Sequence, residues 1–219
     1  MAQYDGKIFG IGFYKTGTTT LYEALRLLGY RTVNGDTPRS YPGADDGETL
    51  IRQIDAGDYR LPTFEMFDAF TDNPYFRIWR QIYDLYPDAK YILTARDDDA
   101  WIDSCVKFYR NRRLRPMRLW MFGRHADPSR DDESRQAWLD AYREHNAEIR
   151  QHFRSRPGQL LEFDPTQTED WGPLCEFLSA PVPEMSWPHA NATRGERAGR
   201  GLWRNLRRAL GIERSLPED

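Results

Sequence analysis

The sequence predicts one α/β domain in which helices flank a central, mainly parallel β-sheet. Strand-like apolar stretches alternate with amphipathic, helix-like stretches along the chain. One of them, AKYILTAR, is the continuous apolar run typical of a buried parallel strand. The chain has 219 residues, which is enough for one hydrophobic core. We expect the domain to span residues 1–191, and a basic loop and amphipathic helix in residues 192–219 to pack on it.

The elements follow from hydrophobic spacing and from turn residues. KIFGIGF, residues 7–13, is the first predicted strand, and Leu21, Leu25 and Leu28 then recur at helical spacing. Further helices are predicted over residues 48–56, 74–85, 101–109, 131–153 and 171–178, and further strands over residues 61–70, 89–96 and 159–164. The long helix carries Trp138, Tyr142, Ile149 and Phe153 on one face, which predicts that this face is core.

Composition narrows the class of protein. The chain is 39% hydrophobic with seven Trp, and its apolar runs are too short to span a membrane. No secretion signal opens it, so a soluble, cytoplasmic protein is expected. A net charge of −3 argues against a nucleic-acid partner. Cys105 and Cys175 lack CxxC or Cys/His neighbours, which predicts reduced core thiols and no metal site.

The loop after the first strand has the composition of an anion cradle. A strand, a glycine turn and a helix N-terminus together direct backbone N–H groups and the positive end of the helix dipole at one point. Gly12 and Gly17 have the spacing of the nucleotide loop GxxxxGK[ST], but Thr18 stands where that loop has lysine. The lysine is Lys15, inside the loop. This favours a P-loop-type domain without the kinase arrangement, and an ordinary strand-to-helix turn is the alternative.

The stretch KTGTTT, residues 15–20, resembles the 5′-phosphosulfate loop of the sulfotransferases that use 3′-phosphoadenosine 5′-phosphosulfate (PAPS), written Lys-[Ser/Thr]-Gly-Thr-[Thr/Ser]. The resemblance implies that this loop binds PAPS as a co-substrate. The implied binding residues are Lys15, Thr16, Gly17, Thr18, Thr19 and Thr20.

A second stretch, YILTARDDDAWIDSC, is similar to the 3′-phosphate site of the same family. Arg96 ends the strand and Ser104 follows eight positions later, as in the family's R-[DN]-P-x5-S pattern, although Asp98 replaces the proline. A guanidinium at a strand end is a forked, permanently charged donor for a phosphate. Pairing of Arg96 with the neighbouring aspartates is the alternative.

The resemblance covers most of residues 7–191. The chain matches DAxxDxP at residues 68–74, YPDAKxILTxRD at residues 86–97, WxxLCxFLxxPVP at residues 171–183 and PxxN at residues 188–191, motifs of one branch of the sulfotransferase-like proteins. It implies in-line sulfuryl transfer to a hydroxyl or amine of a small-molecule or glycan acceptor, with Lys15 neutralising charge on the departing nucleotide and no metal required.

The resemblance also implies a general base opposite the nucleotide. The local carboxylates are Glu65, Asp68 and Asp72. Asp68 is favoured because it opens DAxxDxP, and Glu65 comes next. A capping or solvated role is an equally consistent reading of each carboxylate.

The basic tail is the last expected part of the nucleotide site. The resemblance implies a late basic loop over the nucleotide, and the candidates for it are Arg194 with Gly195, and the segment GLWR at residues 201–204. Two other functions stay open: a nucleotide phosphotransferase that uses the same loop, and a noncatalytic sulfotransferase-like binding protein. The sequence leaves the acceptor undefined and a homodimer open.

Overall fold

The computed structural model describes residues 3–35 and 47–189. Within these ranges the strands are β1 (Ile8–Gly10), β2 (Thr32–Asn34), β3 (Ala69–Thr71), β4 (Lys90–Thr94) and β5 (Leu160–Phe163). The α-helices are α1 (Thr18–Leu27), α2 (Glu48–Asp55), α3 (Thr63–Met66), α4 (Trp79–Leu85), α5 (Asp98–Tyr109), α6 (Pro116–Phe122), α7 (Asp132–Phe153) and α8 (Gly172–Phe177). A 3₁₀ turn, Gly123–His125, follows α6.

The strands form one parallel sheet in the order β2-β3-β1-β4-β5. Helices cover both faces, so the predicted fold class, a single α/β domain with a flanked parallel sheet, is confirmed. Side chains alternate across the sheet. Ile8, Ala69 and Ile92 pack with α1 and α8, whereas Phe9, Phe70 and Tyr91 pack with α2, α4 and α7. Each fully buried side chain of this size contributes about 1.5–3 kcal/mol of hydrophobic stabilisation.

The central strand, β1, is where the chain changes faces. The helix after it, α1, packs on one face of the sheet, and the helix after its neighbour β3, α4, packs on the other face. In open parallel sheets such a change leaves a crevice at the carboxyl ends of the strands, and ligands bind there. The loops that leave β1, β3 and β4 therefore border the expected ligand site.

An aromatic cluster packs beyond the carboxyl edge of the sheet. Phe13 and Tyr14, which follow β1, pack with Trp101, Trp138 and Tyr142 of α5 and α7. The rings of Trp101 and Tyr142 are stacked with their centroids 4.0 Å apart. The Trp101 indole nitrogen donates to the Tyr14 carbonyl at 2.8 Å. This buried cluster holds the start of the loop after β1 in place and confirms that the predicted α7 stripe is core.

Two local predictions were wrong, and β2 and α6 were not predicted. Residues 61–70 were expected to form a strand, but α3 occupies the middle of this segment, because Pro62 has helical dihedrals and Phe64 is buried from the helix. The helix expected from residue 74 begins at Trp79, after a turn in which the Pro74 carbonyl accepts from Arg77 and Ile78. Strand β2 was missed, since three residues are too few to show an alternating pattern.

Two further expectations concern side chains and membranes. Cys105 and Cys175 are buried and free, as predicted. Over residues 3–35 and 47–189 no helix has both the length and the apolar character that crossing a bilayer requires. The basic segment expected in residues 192–219 lies outside the described residues.

Candidate active site

The loop after β1 opens the N-terminus of α1 toward the carboxyl edge of the sheet. Lys15 and Gly17 have left-handed backbone, with φ of 65° and 91°. Gly17 is the N-cap of α1 and contributes no side-chain cap, so the first N–H groups of the helix are available to a ligand. A side chain at Gly17 would also meet Pro165 Cγ at 2.7 Å. Glycine at this position therefore keeps the cradle open to an anion.

Thr16 stabilises the loop from inside. Its side chain is fully buried, and its hydroxyl donates to the Phe13 carbonyl. The same hydroxyl lies 2.6 Å from the hydroxyl of Thr94, at the end of β4. Gly12 packs directly on Thr94, where its backbone leaves no room for a Cβ. Thr16, one of the predicted binding residues, therefore stabilises the conformation of the loop itself.

Lys15 projects from the loop toward α5. Its ammonium nitrogen lies 4.1 Å from the ring centroid of Phe108, a cation–π contact. Burial lowers the pKa of Lys15, and the cationic side chains of Arg96 and Arg112 lower it further. Cys105 and Asp72 act in the opposite direction. Lys15 is therefore a half-buried cation at the point where the loop, β3 and α5 meet.

Arg96 leaves β4 beside the same loop. Its Nη1 donates to the Lys15 carbonyl at 3.2 Å, and its Nε lies 3.8 Å from Asp164 Oδ2. The Arg96 N–H donates to the Tyr142 hydroxyl at 2.8 Å, and this hydroxyl lies 3.0 Å from the Arg96 carbonyl. The Nε is buried and has no hydrogen-bond partner. Because an unpaired buried donor is costly, this guanidinium retains capacity for an anionic acceptor.

Ser104 lies in the middle of α5 and is half-buried. In the described residues no hydrogen bond joins it to Arg96. The adjacent Cys105 is buried, which raises its thiol pKa, and Lys15 and Arg96 both oppose that increase. This part of α5 therefore lies close to both cations.

Asp72 is the carboxylate that the structure brings to the loop. It follows β3 with φ of 71°, its Oδ2 accepts from the Thr18 hydroxyl at 3.2 Å, and its Oδ1 accepts from the Asn73 N–H at 2.8 Å. Burial raises the pKa of Asp72, and Lys15 partly counteracts this. The sequence signal for Asp72 was its position directly after a strand-like AFT and before Asn-Pro.

Asp68 and Glu65 lie at the opposite edge of the sheet. Asp68 precedes β3, and its carbonyl accepts from the N–H of Ile8, where β1 begins. Its carboxylate pairs with Arg31 at 2.7 Å, and this hydrogen-bonded guanidinium lowers the pKa of Asp68. Glu65 is exposed on α3, before the same strand. The structure brings neither side chain to the loop, and Asp72 replaces them as the carboxylate there.

Two residues near the loop were not assigned to the site from the sequence. Phe108 contacts Lys15 from the end of α5, and no local pattern distinguishes it from a core aromatic residue. His145 of α7 lies with its Nε2 2.7 Å from the Ile11 carbonyl, so it supports the start of the loop. Arg194, the expected tail residue, lies outside the described part of the chain. In the described ranges no group of three or more His, Cys, Asp or Glu side chains has a metal-binding arrangement.

Comparison with known proteins gives two matches. The family model described as "Sulfotransferase domain" matches residues 7–195. A curated protein, "Ava biosynthesis cluster protein M" of Aspergillus versicolor, is 27% identical over 239 aligned residues, which cover 91% of this chain and 88% of that protein. The family-model match includes the loop after β1 and the end of β4.

Proposed function

The chain belongs to the sulfotransferase domain family, and from that premise we propose that it transfers a sulfuryl group from PAPS to a hydroxyl or amine of a small-molecule or glycan acceptor. The observation that carries the proposal is the meeting of three groups at one edge of the sheet. They are the open N-terminus of α1, Arg96 after β4 and Asp72 after β3. The family match alone supports a transferase activity, and this geometry supports PAPS as the donor.

The residues present fit a donor that carries two separated anionic groups. The uncapped N–H groups of Thr18, Thr19 and Thr20 suit the 5′-phosphosulfate, because a helix N-terminus binds such anions through its backbone. Arg96, a forked cation at the exit of β4 beside the loop, suits the 3′-phosphate. Ser104 is the expected second donor to that phosphate.

PAPS supplies an activated sulfuryl group, whose transfer leaves adenosine 3′,5′-bisphosphate. Lys15 would stabilise the negative charge that develops beside the loop during this transfer. Its ammonium group contacts the Phe108 ring, and the proposal requires that the developing charge form beside this group. The partial burial of Lys15 strengthens the electrostatic interaction relative to water.

Asp72 would accept the proton of the acceptor hydroxyl at its Oδ2, which now accepts from Thr18. Burial raises the pKa of this carboxyl above its ordinary value, which makes the carboxylate a stronger base than an exposed one. The Thr18 hydroxyl would orient it. The similarity to a biosynthesis cluster protein supports a small-molecule acceptor.

The proposal is tested first by ligand binding and then by catalysis. Adenosine 3′,5′-bisphosphate, ATP and adenosine 5′-phosphate are titrated by calorimetry and thermal shift with EDTA present, and ATP also with Mg²⁺ in place of EDTA, since a ligand of the native state raises the melting temperature. Selective binding of the bisphosphate supports the donor assignment. Preference for ATP with a divalent metal would favour the phosphotransferase, and absence of bisphosphate binding would overturn the proposal.

Catalysis is then separated from binding with labelled PAPS and an acceptor panel. Lys15→Met is expected to bind the bisphosphate but to transfer the label at least about 100-fold more slowly, the usual size of a lost electrostatic contribution. If wild-type protein binds the bisphosphate but transfers no label above the rate without protein, the chain is a binding protein. Equal transfer above that rate by wild type and Lys15→Met would remove Lys15 from the mechanism.

A further inference from the structure

The segment between α5 and α6 carries a set of arginines that have no acidic partner among the residues that the structure describes. Residues 110–118 contain no Asp or Glu. Four arginines of this segment are exposed, and we call them the arginine rim: Arg110, Arg112, Arg113 and Arg115. In the described residues none of the four forms an ion pair with a carboxylate. Elsewhere Arg31, Arg124 and Arg150 pair with carboxylates at 2.6–2.7 Å.

A buried arginine fixes the backbone of the rim. Arg118 is 5% exposed, and its Nη2 donates to the Arg113 carbonyl at 2.6 Å. Its guanidinium also stacks 4.3 Å from the ring centroid of Tyr109, and its Nη1 donates to the Ala126 carbonyl at 3.3 Å. The N–H of Arg112 donates to the Tyr109 carbonyl at 3.0 Å. The rim is therefore held in a defined position against α5 and α6.

Phe108 joins the rim to the candidate active site. Lys15 Nζ lies 4.1 Å and the Arg112 guanidinium carbon 3.9 Å from the centroid of its ring. Both cationic centres contact one ring, so they lie within about 8 Å of each other. That span is short enough for one small acceptor to contact both.

The charges near Lys15 are unbalanced in favour of cations. Arg96 and Arg112 both act on Lys15, and Asp72 is the carboxylate that opposes them. The proposed donor would use the charge of Lys15 and Arg96, and in the described residues Arg112 forms no ion pair with a carboxylate. Two exposed apolar side chains of the same region, Leu114 and Leu119, are suited to the apolar part of an organic molecule.

We propose that the acceptor carries an anionic group, a carboxylate or a phosphate, which Arg112 binds while the acceptor hydroxyl or amine lies beside Lys15 and Asp72. The inference rests on the proposed function and adds the chemical class of its acceptor. A forked guanidinium binds either anion through two parallel hydrogen bonds. The other rim arginines attract the same anion at longer range.

The test compares acids with neutral molecules of nearly the same shape. The carboxylate pair is 4-hydroxyphenylacetate and its methyl ester, and the phosphate pair is glucose 6-phosphate and glucose. Binding to protein saturated with adenosine 3′,5′-bisphosphate is followed by ligand-observed NMR. We expect the anionic member of at least one pair to bind about tenfold or more tightly than the neutral member, the size of one charge-assisted hydrogen bond. The responding pair distinguishes carboxylate from phosphate.

Arg112→Gln is expected to remove this preference and to leave affinity for the bisphosphate within about twofold of wild type. Arg60→Gln is the matched control, because Arg60 is also an exposed arginine but lies on the segment before α3. It should keep the preference. Phe108→Leu should weaken it, since the shared ring is lost.

Equal binding of the acid and the neutral molecule in both pairs, including no binding of either, overturns the inference. A preference that survives in Arg112→Gln does the same. The proposed function is judged separately, by bisphosphate binding before any acceptor is added. If that binding fails, the same pairs are measured on ligand-free protein, where the Arg112-dependent preference still decides the anion site.

Discussion

The Nη1 of Arg96 donates to the backbone carbonyl of Lys15 at 3.2 Å. This hydrogen bond joins the end of β4 to the loop after β1, two segments about eighty residues apart in the sequence. The side chain expected to bind one phosphate of the donor therefore also supports the loop expected to bind the other. An experiment on Arg96 must therefore distinguish its binding of the phosphate from its support of the loop.

Arg96→Lys keeps a cation at this position but removes the forked donor. We expect it to weaken adenosine 3′,5′-bisphosphate by about 2 kcal/mol, roughly 30-fold in Kd, because a charge-assisted hydrogen bond is lost. Adenosine 5′-phosphate, which lacks the 3′-phosphate, should bind nearly as it does to wild type. Calorimetry with both ligands makes the measurement.

The contrast between ligands tests the role of Arg96. If both nucleotides weaken equally, Arg96 acts through the Lys15 carbonyl and the loop, and the assignment to the 3′-phosphate fails. Thermal melts without ligand show how far the substitution disturbs the fold itself.

Gly12→Ala tests the contact between the loop and β4. An added Cβ would meet the Thr94 backbone nitrogen at 2.7 Å, so the loop must move. We expect a loss of about 1–3 kcal/mol in the free energy of unfolding, the usual cost of overpacking. Because the loop moves, affinity for adenosine 3′,5′-bisphosphate should fall as well.

Gly29→Ala is the control for this substitution. Gly29 follows α1 with φ of 93°, and an added Cβ would have nothing within 4 Å. Its expected cost, about 1–2 kcal/mol, comes from left-handed backbone alone. Denaturant unfolding should show a loss in both variants, and bisphosphate binding should fall in Gly12→Ala only. Unchanged binding in Gly12→Ala would contradict the coupling of Thr94 to the cradle.

Local features explain what was predictable from the sequence. The loop stands out because glycine, lysine and threonine interrupt an apolar strand, and AKYILTAR has the composition of a central strand, which places Arg96 at its exit. Both predictions depend on neighbouring residues. They identified the parallel sheet and brought Lys15, Thr18 and Arg96 to one edge.

The choice of carboxylate followed the DAxxDxP motif, which Asp68 opens, and the motif does not show which of its two aspartates lies at the exit of the strand. The strand is Ala69–Thr71, so Asp68 stands at its entry and Asp72 at its exit. Such a short strand is defined by pairing with β1 and β2, and its bounds are not visible in the local sequence. The contacts of Phe108 and His145 are likewise tertiary.

Asp72→Asn is expected to lower the activity of the protein and to raise its stability. The variant should retain bisphosphate binding and lose about 10²- to 10⁴-fold in kcat/KM for labelled transfer, the usual contribution of a general base. Asparagine tolerates the left-handed backbone of this position. Normal binding with normal turnover would remove Asp72 from the mechanism.

The pH dependence of stability gives a second readout for Asp72. Burial raises the pKa of the folded carboxyl, so the folded state binds more protons than the unfolded state between the ordinary pKa and the raised one. The carboxyl of Asp72 therefore makes wild type less stable as the pH rises through this interval. Asp72→Asn lacks this contribution because its amide does not titrate. Thermal melts at pH 4 and pH 8 should show the larger advantage of the variant at pH 8. An advantage independent of pH would contradict the raised pKa.

His145 gives the opposite dependence on pH. Its Nε2–H donates to the Ile11 carbonyl at 2.7 Å, and burial, with Arg77 and Arg80 nearby, lowers its pKa from 6.5 to about 4. Between these values the unfolded chain binds a proton that the folded state excludes, so this group reduces stability as the pH falls from 6.5 toward 4. Glu144 and Glu148 line the same cleft and do not prevent this decrease.

His145→Gln tests that dependence, because a glutamine amide can donate to the same carbonyl but does not titrate. We expect the melting temperature of wild type to fall further than that of the variant when the pH is lowered from 7 to 5. Between pH 7 and pH 8 the two melting temperatures should change by the same amount. His152→Gln is the matched control on α7, because burial also lowers the pKa of His152 but its Nε2 has no hydrogen-bond partner and makes no bond to the loop. Parallel losses in wild type and His145→Gln would mean that His145 is protonated in the folded protein at pH 5, and that it supports the loop as a cation.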